Sequence, residues 1–160
     1  MRKLLGTVAL VGMLAIPGAA RAQTVVGGSL LYNTDSEDVG IGVYAGIPLP
    51  ALNENIVLKP DFGLWFPDVG SAWELNGDLA YLFNLANNQQ IIPFALAGIN
   101  IAHFSYDAGA VSVSNTDVGL NLGGGVIFPL PSFRPAVGAK FEIHDNTSFV
   151  LFGGIGFPLG

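Results

Sequence analysis

Ala72–Phe83 reads AWELNGDLAYLF. Taken alternately, Trp73, Leu75, Gly77, Leu79, Tyr81 and Phe83 form one set, and Ala72, Glu74, Asn76, Asp78, Ala80 and Leu82 the other. A strand sends successive side chains to opposite faces, so this period of two predicts a strand with one apolar and one polar face. Few charges occur anywhere in the chain, and three of its acidic and amide side chains fall together on one face of this stretch.

The same period continues on both sides. In Ile56–Phe66, Ile56, Leu58, Pro60, Phe62, Leu64 and Phe66 oppose Val57, Lys59, Asp61, Gly63 and Trp65. In Val39–Pro50, Val39, Ile41, Val43, Ala45, Ile47 and Leu49 oppose Gly40, Gly42, Tyr44, Gly46 and Pro48. Thr116–Leu130 and Arg134–Ile143 alternate in the same way. Gln23–Tyr32, Ile91–Phe104 and Phe149–Leu159 are less regular but also read as strands. That predicts eight strands, each near the ~9–11 residues that a tilted strand needs to cross hydrocarbon. The odd-numbered connections, Asn33–Asp38, Pro67–Ser71, Ser105–Asn115 and His144–Ser148, carry Asp35, Glu37, Asp38, Asp68, Asp107 and Asp145. The third is expected to be the longest loop.

Alternation alone does not say which face meets solvent, because a soluble barrel alternates with its apolar face inside. Charge decides. Charged residues are 11% of the chain, against about 25% in soluble domains. The polar faces hold Lys59, Asp61, Glu74, Asp78, Asp117, Arg134, Lys140 and Glu142, with Asn76, Asn100 and Asn121; much of the remainder is Gly and Ala. A soluble exterior needs many more charges. A narrow lumen needs small residues and paired charges, while the large apolar face suits lipid. No stretch beyond the first residues has the ~18 consecutive apolar residues of a membrane helix. Only helices and closed barrels satisfy their backbone in lipid, so a barrel is expected.

Residues 1–22 carry the marks of a cleaved secretory leader. Arg2 and Lys3 precede the apolar run Leu4–Ile16, Pro17 and Gly18 break it, and Ala20-Arg21-Ala22 is an A-x-A pattern. The run is too short to span ~30 Å of hydrocarbon as a helix. Residues 23–160 then form the barrel domain, with three cations against twelve acids and a formal net charge of −9. That charge disfavours nucleic acid, which is held through cations on phosphates. The absence of Cys excludes disulfides and thiolate sites.

PFALAGIN (Pro93–Asn100), TDVGLNLGGGVIFPL (Thr116–Leu130) and FVLFGGIGFPL (Phe149–Leu159) together resemble the small porin-like outer-membrane β-barrel family of OmpA/OmpX type. The resemblance implies an eight-stranded antiparallel up-and-down transmembrane barrel in a Gram-negative envelope. It also implies lipid and lipopolysaccharide as neighbours, the barrel-insertion machinery as a partner during biogenesis, and a monomeric state. Family members commonly end in an aromatic residue; here Phe157 is followed by Pro158, Leu159 and Gly160.

The polar constellation expected inside is Lys59, Asp61, Glu74, Asn76, Asp78, Asn121, Lys140 and Glu142, with Arg134 as a third cation able to pair. Buried charges persist when paired and hydrogen-bonded. An eight-stranded interior is just wide enough for side chains, which favours a plug over a narrow solute channel. Phe66 and Trp73 at one rim, with Tyr81, Phe83, Phe128 and Phe157 at the other, are the expected aromatic girdles. His103 and Ser105, with Asp117 as the carboxylate, are weighed as the catalytic set of a lipid A-modifying hydrolase. Tyr106 departs from the Asn that such enzymes carry there, so no catalytic site is expected. The acidic Asn33–Asp38 loop lacks Ca²⁺-loop spacing, and no helix follows Gly123–Gly125 to make a phosphate loop, so no metal or cofactor is expected either.

Overall fold

The computed structural model describes residues 23–87 and 90–160, and the leader expected over residues 1–22 lies outside them. Eight strands follow one another: β1 (Val25–Asn33), β2 (Val39–Pro48), β3 (Ile56–Phe66), β4 (Ser71–Leu82), β5 (Ile92–Ala108), β6 (Val111–Ile127), β7 (Arg134–Ile143) and β8 (Thr147–Pro158). Each pairs antiparallel with its neighbours in the chain. β1 also pairs with β8, from Val25 opposite Pro158 to Asn33 opposite Val150, which closes the barrel. Closure gives every strand a neighbour on both sides around the barrel wall, the one arrangement that leaves no open sheet edge there. Both termini emerge at one end, here the terminal end; the opposite rim is the far end.

The register confirms the alternation. Lys59 stands opposite Asp78, Asp61 opposite Asn76, and Gly63 opposite Glu74. Asn76 stands opposite Asn100, and Gly98 opposite Asn121. All of these point inward, and in β4 burial alternates residue by residue, with Glu74, Asn76, Asp78 and Ala80 buried. The other face is exposed and apolar around the circumference: Leu30 and Val118 are 70% exposed and Val43 61%. Monomeric soluble proteins rarely expose a contiguous apolar surface beyond a few hundred Å².

One expectation fails. Ser105–Asn115 is not a long loop. β5 and β6 run past the rim as a hairpin, with Ala108 opposite Val111 and only Gly109 and Ala110 between them. Gly109 has φ +65° and is the first central residue, the position where a two-residue II′ turn requires positive φ. Ser112 and Ser114 alternate with Val111 and Val113, whose branched side chains favour strand. Beyond Leu120, the last β6 residue that pairs with β7, this hairpin has no partner on its β6 side. At the first far-end connection, Asn33 Oδ1 accepts hydrogen bonds from the backbone N–H groups of Asp35 and Ser36, a local Asx turn.

Candidate functional site: the two halves of the lumen

The strands bring all eight residues of the expected polar network into the lumen. Asn76, in mid β4, is its node. Its Nδ2 donates to Asp61 Oδ1 (2.7 Å) and Glu74 Oε1 (3.0 Å). Its Oδ1 accepts from Asn100 Nδ2 (2.6 Å) and Asn121 Nδ2 (2.7 Å). Two donors and two acceptor positions are all an amide side chain offers, so Asn76 is saturated. Asn121 also donates to Asp78 Oδ1 at 2.8 Å. Lys140 Nζ lies 2.8 Å from Glu142 Oε1 and 3.4 Å from Glu74 Oε1. Lys59 Nζ lies 2.6 Å from Asp61 Oδ2. Glu74, Asn76, Asp78, Asn100 and Asn121 are at most 2% exposed. Small residues make the room: a Cβ on Gly98 would collide with Asp78 Oδ1, and one on Gly123 with the Lys140 side chain.

Two further members join from the far end, Trp65 and His144. Trp65 Nε1 donates to Glu74 Oε2 at 2.9 Å. His144 Nε2 lies 2.6 Å from Asn100 Oδ1, and since that oxygen can only accept, the imidazole donates. The sequence placed Trp65 on the inner face as filler and included Asn100 in that face; it assigned His144 to a loop. The signal for His144 was its parity, two residues beyond Glu142 and four beyond Lys140.

Arg134 departs from expectation. It forms no ion pair with the lumen acids among the described residues. It lies at the terminal end of β7, where the lumen changes character. Ala80, Phe94 and Leu96 form a buried cluster there, with Leu82, Ile127 and Phe152 packed against it. Beside them opens a cavity of about 280 Å³ lined by these groups and by Leu31, Tyr44, Val57 and Ala136, with Lys59, Asp61, Lys140, Arg134, Glu54, Gln23 and Ser29 as its polar members. Lys59 marks the boundary: its Nζ stands 5.3 Å from the Tyr44 ring centroid and 5.8 Å from that of Phe152 while pairing with Asp61.

The residues of the considered hydrolase do not converge. His103 stands opposite Thr116, and Nδ1 lies 2.7 Å from Thr116 Oγ1. His103 stacks on Trp73 outside the barrel, at 5.2 Å between ring centroids. Asp117 is opposite Ala102, on the inner face of the same hairpin, and accepts from Asn115. The imidazole and the carboxylate therefore lie on opposite faces of the hairpin. Ser105 Oγ instead lies 3.0 Å from Ser71 Oγ. The six girdle aromatics are all exposed: Phe66 and Trp73 at the far ends of β3 and β4, and Tyr81, Phe83, Phe128 and Phe157 toward the terminal end.

No protein-family model matches the sequence, and no curated protein matches it significantly. Solved structures do. The N-terminal β-barrel domain of Pseudomonas aeruginosa OprF aligns with TM-score 0.72 at 14% identity, over 86% of this chain and 97% of that one. Neisserial surface protein A (NspA) aligns with TM-score 0.63 at 14% identity, over 86% and 95%. Ail, the attachment invasion locus protein of Yersinia pestis, aligns with TM-score 0.62 at 15% identity, over 86% and 97%. At these identities the likeness speaks to architecture, and the chain has the fold of the eight-stranded outer-membrane β-barrels.

Proposed function

We propose that this chain is a non-catalytic integral protein of the bacterial outer membrane, with a lumen closed by its polar belt and an envelope-structural or surface-contact role. The belt carries the reading: five polar side chains at mid-lumen are at most 2% exposed and joined in one hydrogen-bonded network. The apolar exterior suits hydrocarbon, and the aromatics toward both ends suit the two interfaces. The separation of His103 from Asp117 supports a role without catalysis. A closed sheet offers no wall edge to a second copy, which supports a monomer surrounded by lipid and lipopolysaccharide after delivery by the insertion machinery. With the terminal end toward the periplasm, Asp35, Glu37, Asp38, Asp68, Asp107 and Asp145 face outward. Ail has been solved with the heparin analogue sucrose octasulfate; the acidic rim here supports a partner that is not a polyanion.

Planar-bilayer recording tests the plug. The wild-type barrel is expected to give no current steps above the bare membrane. Clear single-channel steps that disappear in Gly63→Trp, a bulky group placed in the lumen, would instead establish a narrow solute channel.

A further inference from the structure

The terminal half of the lumen is built differently from a plug. An interior that only had to be filled would be packed, since protein interiors are dense and voids above a water's size are few. Here a cavity of about 280 Å³ stands beside Leu31, Ala80, Leu82, Phe94, Leu96 and Phe152. That volume is near the lower end of the ~300–1,000 Å³ of ligand pockets, which suits one medium-length chain and is too small for a two-chain lipid. The polar belt closes the inner end, so a ligand enters from the terminal rim. Lys59 is already taken by Asp61 at 2.6 Å. Lys140 is taken by Glu142 and Glu74. Arg134 is the remaining cation of the lining, half-buried and without an ion pair among the described residues, in a barrel whose other charges are mostly acids. Ser29, with Glu54 and Gln23, both exposed, adds to the polar part of the lining.

We infer that the terminal half of the lumen is a binding site for a single-chain amphiphile with an anionic head, the chain seated against Leu82, Phe94, Leu96 and Phe152 and the head paired with Arg134. Apolar contact supplies the affinity, and the guanidinium selects the sign of the head through charge-assisted hydrogen bonds. Lys59, Asp61 and Lys140 of the belt bound the inner end of this site, so it rests on the closed-lumen reading, which bilayer recording tests separately.

Decanoate is the probe. Residues 23–160, refolded into phosphatidylcholine vesicles and checked by their shift in gel mobility on boiling, are dialysed against labelled decanoate beside protein-free vesicles. The wild-type barrel is expected to hold one decanoate per chain, saturably, above the vesicle background. Acetate and decyltrimethylammonium should show no saturable excess, the first for want of a chain and the second for want of a negative head. Arg134→Gln should weaken decanoate binding about tenfold, the effect of losing one charge-assisted contact. Ala80→Trp, which fills the cavity, should abolish it. No saturable excess with the wild-type barrel, or equal binding of decyltrimethylammonium, overturns the proposal. Both of those arms use the unmodified chain, so they decide the matter even if Ala80→Trp fails to fold.

Discussion

Along β4 the inward side chains run Glu74, Asn76, Asp78 and then Ala80, Leu82. The lumen thus changes within two residues from a hydrogen-bonded polar network to an apolar cavity. Above the change, each group depends on several others: Asn76 alone serves Asp61, Glu74, Asn100 and Asn121. Below it, contacts are largely non-directional, and the open space is lined mainly by apolar groups. Order in the upper half therefore comes from mutual hydrogen bonding, and losing one member strands the rest. In the lower half a lost or added methyl group is a local matter of volume.

That contrast is open to attack from its strong side first. Lys140→Met leaves Glu74 and Glu142 buried beside one another without their cation, and removing one partner of a buried ion pair costs about 3–5 kcal/mol. Unfolding by urea in vesicles should show that loss, and Glu142→Gln in the same chain should recover part of it. A Lys140→Met barrel as stable as wild type would mean that the belt's charges are not held as a unit. Asn76→Leu comes next. It strands four partners at once; at ~1–3 kcal/mol for each group left unsatisfied, and with some finding new partners, a net loss of about 3 kcal/mol is expected in the same assay. Smallest is Ala80→Leu, a polar-free enlargement beside the cavity. It should change stability by no more than about 1 kcal/mol, in the stabilising direction, because cavity filling commonly adds ~0.5–2 kcal/mol and some strain offsets it. If Ala80→Leu costs as much as Asn76→Leu, the lower half is tightly packed and the contrast fails.

Much of this was legible in the residues because the period of two is a covalent property of a strand. Parity alone sorted Glu74, Asn76 and Asp78 to one side and Trp73, Leu75 and Leu79 to the other, and the scarcity of charge said which side was inside. What parity cannot give is depth around a closed tube. Arg134 and Lys140 share a face of β7, yet they stand six residues apart along it, and only the stagger of neighbouring strands decides which acids each can reach. The cavity was invisible for the same reason, since it is assembled from strands as distant in sequence as β1 and β8. The third far-end connection was misread because Gly, Ser, Asn and Asp are loop residues by composition, while the alternation of Val111 and Val113 with serines carried the strand signal.

The hairpin that replaced that loop has a kinetic consequence. β5 and β6 pair along their whole length, from Ala108 opposite Val111 to Ile92 opposite Ile127, and the joint between them is two residues. Joining them first constrains very little chain, whereas joining β1 to β8 ties Val25 to Pro158 across nearly the entire barrel. Chain-closure entropy rises with the length enclosed, and local contacts form sooner than distant ones. Chain entropy alone therefore favours pairing that starts from the tip at Gly109, with the β1–β8 seam expected to close last.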